Sequence, residues 1–279
     1  MRPPNSTRVV QVTCLAPKAR SPTKVPASSN LSGVRLDQAV AQRGLTRSRS
    51  AARQLILDGQ ILVNGVMEKR PACRVMMDAT FEFVGVVPPY VSRAGRKLAS
   101  ALDHWHVDVR GQTVLDVGAS TGGFTDCLLR RGAACVIAVD VGRDQLDLRL
   151  REDDRVQVRE QTDVRDLSLL HPEADLVVID VSFIRLCDVL GAVAACASSA
   201  TQIIGLLKPQ FELSGQDVPR DGVIKDHVVR NSVLDSFLRW SNESGFNVVA
   251  TVASEVAGGD GNQESFVLLR APWPTPRDV

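Results

Sequence analysis

Apolar positions follow different rhythms on the two sides of Pro88-Pro89. Ahead of that pair the repeat is short and changes period. In Arg35-Leu36-Asp37-Gln38-Ala39-Val40, Leu36 and Val40 are four apart, which sets both on one face of a helix. The run ends at Gly44, a residue type favoured just past a helix C-terminus. Ser48 to Ile56 predicts a second helix that stops near Gly59. Ile61-Leu62-Val63-Asn64-Gly65-Val66 predicts a short strand, a tight Asn-Gly turn and a return strand. Residues 31–84 therefore form a small α+β unit. At about 50 residues it is small for independent stability, so it is expected to dock on a larger domain.

The prolines disfavour helix and mark residues 85–96 as a linker. From 97 to 275 apolar runs recur between longer segments. The predicted strands are Thr113–Val117, Cys135–Val139, Val156–Arg159, Asp175–Asp180, Gln202–Leu207, Asn247–Val252 and Ser265–Leu269. The segments between them are long enough for helices. This alternation implies an α/β domain with a mostly parallel, Rossmann-like sheet. Residues 1–30, rich in Pro, Ser, Thr and basic residues without periodicity, read as a disordered extension or as residues upstream of the true start.

Composition supports the sheet. Hydrophobic residues make up 44% of the chain and aromatics 4%, so the core is built from Val, Leu, Ile and Ala. That suits parallel strands covered on both faces. The net charge of +1 hides a division. Residues 1–110 carry 17 Lys/Arg and 7 Asp/Glu, whereas residues 111–279 carry 16 and 25. The front is balanced to bind a polyanion and the rear is not. The six cysteines form no Cys-x-x-Cys pair and no histidine stands at zinc-ligand spacing, so no metal is expected. No apolar stretch reaches the ~18 residues of a membrane helix. The N-terminus lacks the apolar centre of a secretory signal. The expected location is the cytoplasm, with no membrane partner.

The first candidate chemistry lies in Val114-Leu115-Asp116-Val117-Gly118-Ala119-Ser120-Thr121-Gly122-Gly123-Phe124-Thr125. It reads as strand, glycine-rich turn and helix. Glycines let the backbone approach a ligand, and a helix start offers free N–H groups for a carboxylate or phosphate. The Gly-x-Gly-x-x-Gly fingerprint and the P-loop lysine are both absent. The next predicted strand ends in Asp140, placed to accept hydrogen bonds from ribose hydroxyls or to cap a helix. Together the loop and Asp140 point to a nucleoside cofactor. Asp163, after the third strand, is in reach of an adenine or is a turn residue. The candidate cofactor residues are Asp116, Gly118, Ser120, Thr121, Gly122, Gly123, Phe124, Thr125, Asp140 and Asp163.

That loop, with Ser92-Arg93-Ala94-Gly95-Arg96-Lys97-Leu98 before it, resembles the haemolysin-A-type (TlyA) ribosomal RNA 2′-O-methyltransferases. Asp180-Val181-Ser182-Phe183, Lys208-Pro209-Gln210-Phe211-Glu212 and Gly261-Asn262-Gln263-Glu264 extend the resemblance. Arg35-Leu36-Asp37, Ser48-Arg49 and Val63-Asn64-Gly65 resemble an S4 RNA-binding domain. The similarity spans about residues 33–270. Two features depart from the family pattern: Val-Gly-Val-Val-Pro-Pro at 84–89, without an aromatic linker residue, and the extension at 1–30. The resemblance implies an S-adenosylmethionine-dependent enzyme with a small S4-like domain, acting on ribose 2′-hydroxyls of ribosomal RNA cytidines. It implies a catalytic set that maps onto Lys97, Asp180, Lys208 and Glu264, shared with the wider FtsJ-like enzymes.

Methyl transfer from a sulfonium needs the oxygen, carbon and sulfur in line, so positioning supplies much of the rate. A ribose hydroxyl is a weak nucleophile that gains from a group taking its proton or stabilising the alkoxide. Lysine can do either. Lys208 closes the apolar run Ile203–Leu207, and Asp180 closes Leu176–Ile179, so both emerge at the carboxyl edge where open α/β sheets bind ligands. Lys208 is expected beside the hydroxyl with Asp180 orienting it, while Lys97 and Glu264 hold the ribose and balance charge. In the front unit, Arg47, Arg49 and Arg53 lie within two helical turns, and Arg35 and Lys69 extend that surface toward ribosomal RNA phosphates. Three other functions are weighed against this one: a membrane-active cytolysin, a non-catalytic ribosome-assembly factor and a base methyltransferase. No amphipathic membrane helix supports the first, the intact loop with Asp180 and Lys208 argues against the second, and no Asn-Pro-Pro-Tyr motif supports the third.

Overall fold

The computed structural model describes residues 33–43, 45–46, 49–76, 78–84, 89–167, 173–198, 200–213, 217–259 and 261–272. The extension at 1–30, Gly44, Arg47 and Ser48 lie outside them. The chain divides into two compact units, Met1–Val87 and Pro88–Val279.

In the first unit the elements are β1 (Val34–Arg35), α1 (Leu36–Gln42), α2 (Arg49–Leu57), β2 (Ile61–Val63), β3 (Val66–Met67), β4 (Arg74–Val75) and β5 (Phe81–Phe83). Leu36 and Val40 of α1, Ala52 and Ile56 of α2, Ile61 and Phe81 share one buried cluster. β2 pairs antiparallel with β3 and β5, and β1 pairs with β4. Asn64 and Gly65 both have positive φ, +51° and +76°, as a two-residue hairpin turn of matching twist requires. Asn64 Oδ1 also accepts the Thr80 N–H at 2.8 Å, which ties the turn to the segment entering β5.

The second unit holds α3 (Arg93–His104), β6 (Thr113–Val117), α4 (Gly123–Arg130), β7 (Cys135–Val139), α5 (Leu148–Arg151), β8 (Val156–Arg159) and β9 (Leu176–Ile179). It continues with α6 (Leu186–Cys196), β10 (Gln202–Leu207), α7 (Pro209–Glu212), α8 (His227–Glu243), β11 (Asn247–Ala253) and β12 (Ser265–Arg270). One seven-stranded sheet runs in the order β11-β12-β10-β9-β6-β7-β8. The pairs from β10 through β8 are parallel, and β12 is antiparallel to both neighbours. Side chains alternate between two cores, as strand geometry dictates. Leu115, Ile137, Val177 and Ile179 face α6 and α8, while Val114, Val136, Leu176 and Val178 face α3 and α4. This is a Rossmann-like, mostly parallel α/β sheet with one antiparallel strand inserted near its edge.

The expected linker runs too far. Helix α3 begins at Arg93, so Lys97 lies in its second turn. The prolines restrict only their own neighbourhood. Four residues beyond Pro89 the helical repeat takes over, with Leu98, Ala101 and Leu102 buried on one face. Gly95 lets this helix close on α4, since an added Cβ would stand 2.7 Å from the Gly123 carbonyl. No helix among the described residues is long and apolar enough to cross a membrane.

Candidate active site

The glycine loop leaves β6 at Val117 and bends over the carboxyl edge of the sheet. Gly118 has φ +82°, and a Cβ there would meet the Asp180 carbonyl at 2.7 Å, so only glycine fits between these two loops. Ser120 is also left-handed, φ +47°, and its N–H donates to Asp140 Oδ2 at 2.8 Å. The other Asp140 oxygen accepts the Gly142 N–H at 2.6 Å. Asp140 thus shapes the loop from the end of the next strand, and a carboxylate has acceptor sites left for further donors. Thr162 donates its N–H to the Asp140 carbonyl at 3.0 Å, which brings Asp163 next to this turn.

Asp116 lies under the loop with no exposure. Thr125 donates its hydroxyl to Asp116 Oδ2 at 2.6 Å, while Oδ1 has no partner among the described residues. Burial pushes the carboxyl up to about 7, and the carboxylates of Asp180 and Asp140 act in the same direction.

Two expected cofactor residues serve other ends. Phe124 is buried with its ring 6.2 Å from that of Phe266, packed among Leu98 and Leu128; it fixes α4 to the sheet and its side chain is a core side chain. Asp163 accepts the Arg165 N–H at 2.9 Å and pairs with its guanidinium at 2.6 Å, capping a short 3-10 turn. The other expected positions, Thr121, Gly122 and Gly123, form the turn and the first residue of α4.

The four charged residues form two pairs at the same edge. Lys97 donates to Glu264 Oε2 at 2.5 Å, with both side chains under a tenth exposed. Lys208 Nζ lies 2.6 Å from Asp180 Oδ1. The strand register assembles them: Leu207 is opposite Ser265, so Lys208 and Glu264 follow in adjacent positions of β10 and of the segment entering β12. Asp180 follows Ile179 on the neighbouring strand β9, and its N–H donates to the Val117 carbonyl at 2.9 Å. Two positive and two negative side chains leave the cluster neutral, and each buried charge has an opposite partner, as burial demands.

Several residues beside this cluster carry no signal in their spacing. Lys208 also donates to Ser182 Oγ at 3.0 Å, so two of its three donor directions are taken. Phe183 is 92% exposed and left-handed, φ +65°, an uncommon state for a bulky side chain and one that clusters at functional sites. Its ring lies 5.1 Å from that of Phe211. Asn262, 1% exposed, accepts the Ile224 N–H and donates to the Gly222 carbonyl, both at 2.8 Å, pinning the 220–225 segment to the Glu264 loop.

In the first unit the basic residues are less free than their spacing suggests. Asp37 is 2% exposed and draws both Arg35, at 2.9 Å, and Arg49, at 3.2 Å. The Arg35 and Arg49 guanidiniums hold its carboxyl down at about 2. The row Arg47–Arg49–Arg53 is therefore not a uniform cationic edge: Arg49 balances a buried acid, Arg47 lies outside the described residues, and Arg53 and Lys69 stand exposed.

A glycine loop, an acid after the second strand and two lysine–carboxylate pairs at one edge of this sheet define a methyltransferase. A family model described as FtsJ-like methyltransferase matches residues 90–271, and one described as S4 domain matches residues 34–76. The chain is 42% identical over 242 residues to the 16S/23S rRNA (cytidine-2′-O)-methyltransferase TlyA of Mycobacterium tuberculosis, covering 85% of this chain and 89% of that protein. It is 38% identical over 234 residues to Hemolysin A of Brachyspira hyodysenteriae, covering 83% and 97%. A solved structure of a Streptococcus thermophilus protein described as a hemolysin matches with a TM-score of 0.69 and 33% identity, covering 86% of this chain and 89% of that one. The chain belongs to the haemolysin-A-type (TlyA) family.

Proposed function

We propose that this enzyme methylates the 2′-hydroxyl of a cytidine in ribosomal RNA, on ribosomal subunits in the cytoplasm, with S-adenosylmethionine as donor. The observation that carries the reading is the pairing of Lys208 with Asp180 and of Lys97 with Glu264 at the edge where the glycine loop emerges. The Mycobacterium tuberculosis relative, by its name a cytidine-2′-O-methyltransferase of 16S and 23S rRNA, supports the substrate class.

The edge fits the cofactor. Asp116 Oδ1 is a buried acceptor with no donor among the described residues, and Asp140 retains acceptor capacity. The Thr121 and Gly123 N–H groups, with Asp116 and Asp140, would hold it. When bound, S-adenosylmethionine supplies an electrophilic methyl group. Lys208 keeps one direction of its amine open, and we assign that direction to the 2′-oxygen: once the ammonium has released a proton to solvent, the neutral amine, still donating to Asp180 and Ser182, takes the hydroxyl proton at its Nζ lone pair. Lys97 and Glu264 orient the ribose. Phe183 offers an exposed ring on which the target base stacks. Buried, matched charge of this kind serves group transfer and has no use in membrane lysis, so the hemolysin names are not carried over.

The test is transfer of tritiated methyl groups to purified ribosomal subunits. Lys208→Ala is expected to lower turnover by a factor on the order of 10² or more with cofactor binding kept. Lys208→Arg should not restore it, because a guanidinium does not give up its proton. Near-normal turnover in Lys208→Ala contradicts the assignment.

A further inference from the structure

The segment Asp180–Leu186 is tied to the segment Lys208–Glu212 at three levels. Next to the sheet, Lys208 meets Asp180 and Ser182. Further along, the rings of Phe183 and Phe211 stand 5.1 Å apart. At the far end, the Leu186 N–H donates to Glu212 Oε1 at 2.7 Å. The first two ties join groups that the functional reading turns toward substrate. The third joins a backbone amide to a carboxylate and needs its own explanation.

Leu186 is the first residue of α6, an eleven-residue helix. The residue before it, Arg185, gives that helix no side-chain cap, and its guanidinium turns instead to Asp188 at 2.6 Å. The free N–H at the helix start is satisfied by a carboxylate from another element, α7. Between the fixed end at Asp180 and this one lies Phe183 in its left-handed conformation. Such a conformation on a bulky residue persists only where both flanks are held.

We propose that Glu212 is a positioning residue for methyl transfer: by accepting the Leu186 N–H it clamps the loop 181–186 and keeps Phe183 in its outward-facing conformation. The inference rests on the functional reading for the use of Phe183, though not for the clamp. Burial pushes the Glu212 carboxyl up to about 7, against the pull of the Leu186 N–H and Arg185 and with the push of Asp188. Cys187 also lies within electrostatic reach of it. An acceptor oxygen remains in either protonation state, so glutamine can replace the acid.

The experiment uses the full chain and measures three things. Amide hydrogen exchange at Leu186 should quicken at least tenfold in Glu212→Ala and return toward the parent in Glu212→Gln. Methyl transfer to ribosomal subunits should fall about tenfold in kcat/KM in Glu212→Ala, with cofactor Kd unchanged, and Gln should restore most of it. In a double-mutant cycle, Glu212→Ala should add little to the loss caused by Phe183→Ala, because both act through one ring. Additive losses overturn the proposal, as does a glutamine variant that stays folded and remains as slow as alanine. Unchanged Leu186 exchange in Glu212→Ala overturns the clamp outright. Should Glu212→Ala not fold, Glu212→Gln with Phe183→Ala decides: protected Leu186 and near-parental kinetics are expected in the first, and a loss at either point rejects the inference. If the parent transfers no methyl group, the functional reading fails, while the exchange data still decide the clamp.

Discussion

Asp116 is a carboxyl without exposure and with one oxygen lacking any donor among the described residues. Its value of about 7 in the folded chain lies above that of an unfolded aspartate, near 4. Between these values the unfolded chain has released a proton that the folded chain retains. Stability is therefore lost as pH rises through that window, at up to about 1.4 kcal/mol per pH unit, and the loss levels off above pH 7. Asp116→Asn removes this dependence. Thermal unfolding without cofactor should show the variant gaining on the parent as pH goes from 4 to 7, and a pH-independent difference would contradict it. Sequence spacing singles out Asp116 but says nothing of the orphaned oxygen, which follows from Thr125 claiming only the other one. Phe183 escapes the sequence for a related reason. Its importance lies in φ and exposure, and neither leaves a mark in Asp-Val-Ser-Phe.

The central strands β6, β7, β9 and β10 are legible because each is a short apolar run that the sheet buries on both faces, and the observed strand ends of the second unit fall within a residue or so of those expected. The antiparallel entry of β12 is not legible, since direction is set by the crossing of the chain and not by side-chain pattern. That reversal is what brings Glu264 to the edge where Lys208 ends its strand. In α2 the spacing of Arg49 and Arg53 is clear, and the role of Arg49 is not, because Asp37 lies twelve residues earlier and reaches it only in the fold. A test of RNA binding therefore belongs on the basic residues without a buried partner. Arg53→Ala with Lys69→Ala should weaken binding to ribosomal subunits and flatten the log–log salt slope by about 0.7–0.9 for each phosphate left without its cation. Cofactor affinity should not change. Arg49→Ala is a poorer probe, since it leaves the buried Asp37 with one cation and costs stability as well. Parental binding by the double variant at all salt concentrations would move RNA recognition away from this surface.

Across the whole molecule, charge and chemistry are divided between the two units. The front of the chain holds the excess of basic residues, and the rear, with more acid than base, holds the two lysine–carboxylate pairs. A net-negative catalytic unit acting on a polyanion needs attraction supplied from elsewhere, which is the use this division gives to the S4 domain. The central claim is that the methyl group is delivered to a ribose oxygen, and its position on the RNA tests that directly. Ribosomal RNA methylated by the pure enzyme is hydrolysed in alkali and the labelled product is weighed by mass spectrometry. A methylated 2′-oxygen cannot attack its own phosphate, so the account predicts the label in an alkali-resistant dinucleotide that opens with 2′-O-methylcytidine and is absent with Lys208→Ala. Label recovered on a base in ordinary mononucleotides would contradict it.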